Sequence, residues 1–100
     1  MSGGSGGPDE GLARAVELLG KRWALLIVGS LLEGPKRYGD LQRELGAPTN
    51  ILATRLRELQ DGGVLYRLPL PHNQRAYALT ERGTALRAAV EALSSWGSAG

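Results

Sequence analysis

GPKRYGDLQRELGAPTNILATRLRELQDGGVL, residues 34–65, decides how the rest of the chain is read. Leu41 and Leu45 stand one turn apart and predict a short helix from about Tyr38 to Leu45. Gly46, Ala47 and Pro48 then form a tight connector. Thr49 reads as the N-cap of a second helix, Leu52, Leu56 and Leu59 mark its buried face, and Gly62 and Gly63 end it. Two short helices joined by a tight, Gly-containing turn are a helix-turn-helix candidate.

Upstream, Gly34 and Pro35 close an earlier segment, RWALLIVGSLL from Arg22 to Leu32, which is apolar nearly all round and predicts a helix buried on most faces. Before it, Pro8 and Asp9 supply helix-start chemistry. Leu12, Val16 and Leu19 follow at i, i+4, i+7 up to Gly20, giving a first helix with one apolar stripe. Residues 1–7, MSGGSGG, have nothing to bury and read as a flexible tail ahead of a domain spanning 8–97.

Downstream, Val64, Tyr66 and Leu68, then Tyr77 and Leu79, show period-2 patterning. They predict a hairpin of strands Val64–Leu68 and Arg75–Leu79 around the loop PLPHNQ. Thr80 reads as the cap of a final helix with Glu81 in its first turn and Leu86, Val90 and Leu93 as its stripe, and Trp96 closes the ordered part. The expected fold is therefore mostly α with a small β-hairpin. Its element order is that of a winged helix-turn-helix, with the hairpin as the wing.

Projected at 100° per residue, Asn50, Thr54 and Arg57 fall almost opposite Leu52, Leu56 and Leu59. Asn can pair bidentately with adenine and Arg with guanine, and Thr offers a hydroxyl or a methyl. Ala53 borders this face and would let the helix approach a groove floor. Around it, Lys36 and Arg37 precede the third helix, Arg55 lies on the flank, and Arg67 and Arg75 lie on the hairpin, all able to meet phosphates. Arg75 is a stronger contact candidate than His72 because a guanidinium stays charged at all relevant pH values. Residues 36–75 carry seven Lys or Arg against four Asp or Glu, whereas the remainder carries five against six.

Other functions are excluded by what is missing. The 100 residues contain no Cys and one His, so the sequence offers no disulfide, thiol nucleophile or thiolate metal site, and His72 cannot build a zinc site alone. There is no paired nucleophile and base, and Gly20-Lys21 lacks the preceding glycine of a P-loop. Asp40 and Glu44, one turn apart, read as solvated helix charges. The longest apolar run, Trp23 to Val28, is too short for a bilayer, and the cytoplasm is the expected location.

Four blocks in order, LLGKRWALLI at 18–27, GPKRYGDLQREL at 34–45, PTNILATRLRELQDGGVL at 48–65 and YALTERGTAL at 77–86, resemble the HxlR family of winged helix-turn-helix transcriptional regulators, related in fold to the MarR group. The resemblance runs from about Leu12 to Trp96. It implies a DNA-binding regulator, expected to be a repressor, that binds a pseudo-palindromic operator as a homodimer formed through the first and last helices. The residues matching the family's contact positions are Thr49, Asn50, Thr54 and Arg57, and with their neighbours the candidate DNA-contacting set is Lys36, Arg37, Tyr38, Thr49, Asn50, Ala53, Thr54, Arg55, Arg57 and Arg75. Its dimer-forming set is Leu12, Val16, Leu19, Leu86, Val90, Leu93 and Trp96.

The implied partners are double-stranded DNA and a second copy of the chain. No cofactor or metal is implied, and a small-molecule effector is compatible with this reading without being identified by it. One departure matters: many members carry a Cys just before the first helix, and that position is Glu10 here, so thiol sensing is not available to this sequence. The alternative reading is a winged-helix protein-interaction module that does not bind DNA, because fold alone does not dictate function.

Overall fold

The computed structural model describes residues 9–100, so Pro8 and the Gly/Ser tail expected over 1–7 lie outside the described residues. Six helices and one hairpin follow in the order α1 (Glu10–Leu19), α2 (Ala24–Leu31), α3 (Tyr38–Leu45), α4 (Thr49–Asp61), β1 (Leu65–Leu70), β2 (Gln74–Leu79), α5 (Glu81–Thr84) and α6 (Arg87–Ala99). This is the winged helix-turn-helix order expected from the sequence.

Asp9 caps α1, its carboxylate accepting from the Leu12 amide at 3.0 Å. The second helix begins two residues later than its apolar run suggested. Trp23 adopts a left-handed conformation with φ of 78° and cannot join the helix. Nor is α2 buried all round: Ala24, Ile27, Val28, Ser30 and Leu31 are enclosed, but Leu26 keeps 57% of its surface exposed.

Helix α3 has the expected bounds. Gly46 ends it with φ of 70°, a left-handed turn that glycine adopts without steric cost, and its amide donates back to the Gln42 carbonyl at 2.8 Å. Thr49 differs from expectation: Pro48 occupies the cap position, and Thr49 is already the first residue of α4. Leu52, Leu56 and Leu59 are buried as predicted. With Ile27, Leu41 and Leu65 they form the centre of the core.

The hairpin is longer than its patterning indicated. Its antiparallel register pairs Leu65 with Leu79 through to Leu70 with Gln74, leaving only residues 71–73 as the turn. Pro69 is accommodated because β1 is the outer strand, where a missing N–H is tolerated. Across this register Tyr66 and Leu68 share one face with Ala78 and Ala76, whereas Tyr77 and Leu79 share the other with Leu65 and Arg67. The two expected apolar sets therefore lie on opposite faces, and both faces of the wing are used. At its tip His72 and Asn73 are both left-handed, with φ of 63° and 59°.

The single final helix expected from Thr80 is broken at Ala85 and Leu86 into α5 and α6. The cause is a fixed contact at the base of the hairpin. Thr80 Oγ1 donates to the Gly63 carbonyl at 2.6 Å and accepts from the Gly83 amide at 3.0 Å. Gly83 lies so close to the Val64 carbonyl oxygen that a Cβ there would stand 2.1 Å from it. Held in this way, α5 must end before the chain can turn onto α2. Helix α6 then runs past Trp96 to Ala99.

Candidate nucleic-acid interface

The exposed side of α4 carries Asn50, Ala53, Thr54 and Arg57, and its opposite side is the buried leucine row. Two contacts from α3 set where this helix begins. Tyr38 donates its hydroxyl to the Thr49 carbonyl at 2.6 Å, and Gln42 donates its side-chain amide to the Thr49 hydroxyl. Tyr38 is thus a clamp between the two helices. Gln42 was not foreseen as part of the site, although its position one turn after Tyr38 places both on the same side of α3.

Within α4, Thr54 donates its hydroxyl to the Asn50 carbonyl at 2.9 Å, one turn back. That leaves the methyl group and the oxygen lone pairs for an outside partner. A groove of about 320 Å³ separates α4 from the hairpin, lined by Ala53, Leu56, Arg57, Gln60, Asp61, Arg67 and Tyr77. Arg57 on the helix and Arg67 on β1 face each other across it. Gln60 and Asp61 at the end of α4, and Tyr77 of β2, join this groove without having been expected in the site; the fold of the hairpin against α4 brings Tyr77 there.

The cations expected around the helix fall into two groups. Arg37, Arg57, Arg67 and Arg75 are exposed and, among the described residues, form no ion pair. Lys36 and Arg55 are otherwise engaged, which corrects the expectation that their charge is free for phosphate. Arg55 donates to the Arg22 carbonyl at 2.9 Å and to Glu58 at 3.2 Å, fastening the α1–α2 connection to α4. Glu58 also accepts from Lys21 at 3.2 Å, and that hydrogen bond holds its carboxyl below the usual range.

Lys36 keeps only 17% of its side chain exposed and binds Ser30 at 2.8 Å, Glu33 at 2.7 Å and Glu44. Burial pulls its pKa down, and the hydrogen bonds it donates to the two carboxylates overcome that and leave it raised. The hydrogen bond from Lys36, with Ser30 adding to it, lowers Glu44.

Residues 18–100 match the HxlR-like helix-turn-helix family. The chain belongs to that family. Among the relatives, an uncharacterised HTH-type transcriptional regulator of Mycobacterium tuberculosis is 42% identical over 90 residues, covering 88% of this chain and 57% of the relative. The chain thus spans a little over half the length of the mycobacterial relatives it matches. The transcriptional regulator YodB of Bacillus subtilis is 39% identical over 85 residues, covering 82% of this chain and 76% of YodB.

The reduced form of YodB superimposes with a TM-score of 0.79 at 36% identity, over 88% of this chain and 89% of that one. Its quinone-bound form gives 0.79 at 34%, over 92% and 99%. These relatives are transcriptional regulators, not enzymes. No cysteine occurs in the present sequence. Among the described residues no group of His, Asp and Glu could hold a metal, and no helix is long and apolar enough to cross a membrane.

The residues expected at a dimer contact also divide. Leu19, Leu86 and Val90 are half-buried against the protein's own core. Leu12, Val16, Leu93 and Trp96 stand exposed at 62%, 54%, 51% and 79%, too much apolar surface to be ordinary scatter on two helices. Leu26 of α2 joins them and, with Val90 and Leu93, lines a cleft between α2 and α6. The nearly continuous apolar run of α2 concealed it, because periodicity there does not separate an inward from an outward leucine.

Proposed function

We propose that the protein is a cytoplasmic, sequence-specific DNA-binding transcriptional regulator, acting as a repressor through a pseudo-palindromic operator. Each protomer lays α4 in a major groove, with Asn50, Thr54 and Arg57 at the base edges and Thr49 and Ala53 beside them. Arg37, Arg67 and Arg75 meet the flanking phosphates. The observation that carries this reading is the uncovered polar face of α4, bordered by a groove lined by Arg57 and Arg67, which form no ion pair among the described residues.

Two copies join through α1 and α6, using Leu12, Val16, Leu93 and Trp96 with Leu19, Leu86 and Val90 behind them. This spaces two α4 helices about one turn of DNA apart. Without a cysteine, any small-molecule signal acts by binding and not by thiol chemistry.

Fluorescence anisotropy against the protein's own upstream intergenic DNA and a scrambled duplex, over a range of salt, tests the reading. Affinity should favour the upstream duplex, and log K should fall against log salt by roughly 0.9 per phosphate neutralised. Failure to bind either duplex at low salt would overturn it in favour of a protein-interaction module.

A further inference from the structure

Lys36 joins three parts of the helix-turn-helix and its wing in one residue. Its ammonium binds Ser30 near the end of α2, Glu33 just beyond that helix, and Glu44 near the end of α3. Its backbone pairs with the wing: the Lys36 amide donates to the Tyr77 carbonyl at 3.0 Å and the Lys36 carbonyl accepts from the Tyr77 amide at 2.7 Å, an isolated antiparallel bridge on the free edge of β2. The Tyr77 side chain, on the same residue, lines the groove between α4 and the hairpin beside Arg57 and Arg67. Whatever fixes Lys36 therefore fixes the height and angle of the wing against α4.

We propose that Lys36 is a positioning residue for the wing, and not a phosphate contact. Its ammonium is held by two carboxylates and a hydroxyl in a nearly enclosed place, so the linker Gly34–Arg37 is pinned to α2 and α3 and carries β2 with it. The functional part of this inference rests on the DNA-binding reading. The positional part stands without it.

The test uses the full chain with Lys36→Met, which keeps the stem and removes the charge, and with Lys36→Arg, which restores a cation able to reach the same carboxylates. Backbone amide exchange is measured at Tyr77 and, as an internal reference, at Val28 and Leu31 of α2. Binding is measured to duplexes of equal core sequence, with and without the flanking base pairs that the hairpin would reach.

In Lys36→Met the Tyr77 amide should exchange at least tenfold faster while the α2 amides hold. The affinity lost by wild type on trimming the flanks should no longer be lost. Lys36→Arg should recover most of both effects.

Unchanged Tyr77 exchange would overturn the proposal, as would equal acceleration of every amide, which marks a merely structural residue. A uniform loss of affinity with flank dependence intact and the salt slope reduced by about one would identify a phosphate contact instead. If wild type binds neither duplex, the DNA-binding reading fails, and the exchange measurement still decides the role of Lys36.

Discussion

Helix α4 and helix α6 are both 13 residues long, yet α4 has three buried residues and α6 has none. The same contrast separates α3 from α1: Leu41 is enclosed, whereas no residue of α1 is. The middle of the molecule closes its own core around Leu41, Leu52, Leu56 and Leu59, and the two outer helices give Leu19 and Val90 to it, with Leu86 just ahead of α6, while leaving a second apolar row uncovered. Hydrophobic pattern alone does not distinguish the two situations, because both give leucine at helical spacing. The difference lies in whether the chain itself supplies the opposing surface.

Substitutions on either side of this divide should behave differently. Leu56→Ala or Leu52→Ala should cost about 2 to 5 kcal/mol of unfolding free energy through the cavity left in the core, measured by urea denaturation. Trp96→Ala should leave unfolding of the protomer almost unchanged and instead weaken self-association by about 2 kcal/mol or more, as expected for an interface anchor. Sedimentation equilibrium checks this. A fall in protomer stability as large as that of Leu56→Ala would break the contrast.

On the free face of α4, Arg57→Ala should cost roughly 1 to 3 kcal/mol of DNA affinity and relax base preference if the guanidinium reads a base edge. Competition with single-base operator variants distinguishes this from a phosphate contact, which would lower all affinities alike. At the wing tip, replacing the left-handed His72 by Gly should raise thermal stability, by about 1 kcal/mol or less.

The smallest effect expected is with pH. Glu44 and Glu58 are held below the ordinary value of 4.5 by Lys36 and Lys21. Their contribution is therefore present above that value and is lost as pH falls through their lowered pKa values. The midpoint of thermal unfolding should be flat near neutrality and decline in acid, with a shallower decline in Glu44→Gln.

Local chemistry made much of this fold legible. Gly46 and the leucines at 52, 56 and 59 act within a turn or two of themselves, and the elements they define were correctly anticipated. What escaped depended on distant partners. The break at Ala85 and Leu86 follows from Thr80 and Gly83 meeting Gly63 and Val64 at the foot of the hairpin, and nothing in the periodicity of residues 81–93 reports that meeting.

The cations show the same limit. Arg55 with Glu58 is a spacing readable on a helix, but the enclosure of Lys36 needs Glu44, eight residues away on another element. Counting charges located the basic middle of the chain, and only the folded arrangement separates Lys36 and Arg55 from Arg37, Arg57, Arg67 and Arg75, which form no ion pair among the described residues.

The close approach of Gly83 to the Val64 carbonyl has a consequence for genetics. A methyl group at position 83 would meet the Val64 backbone and not a yielding side-chain end. A Gly83→Ala allele would therefore be conditional, folding at low growth temperature and failing when warmed. It would let the protein be withdrawn from a living culture at a chosen moment while every side chain of the exposed α4 face stays as it is.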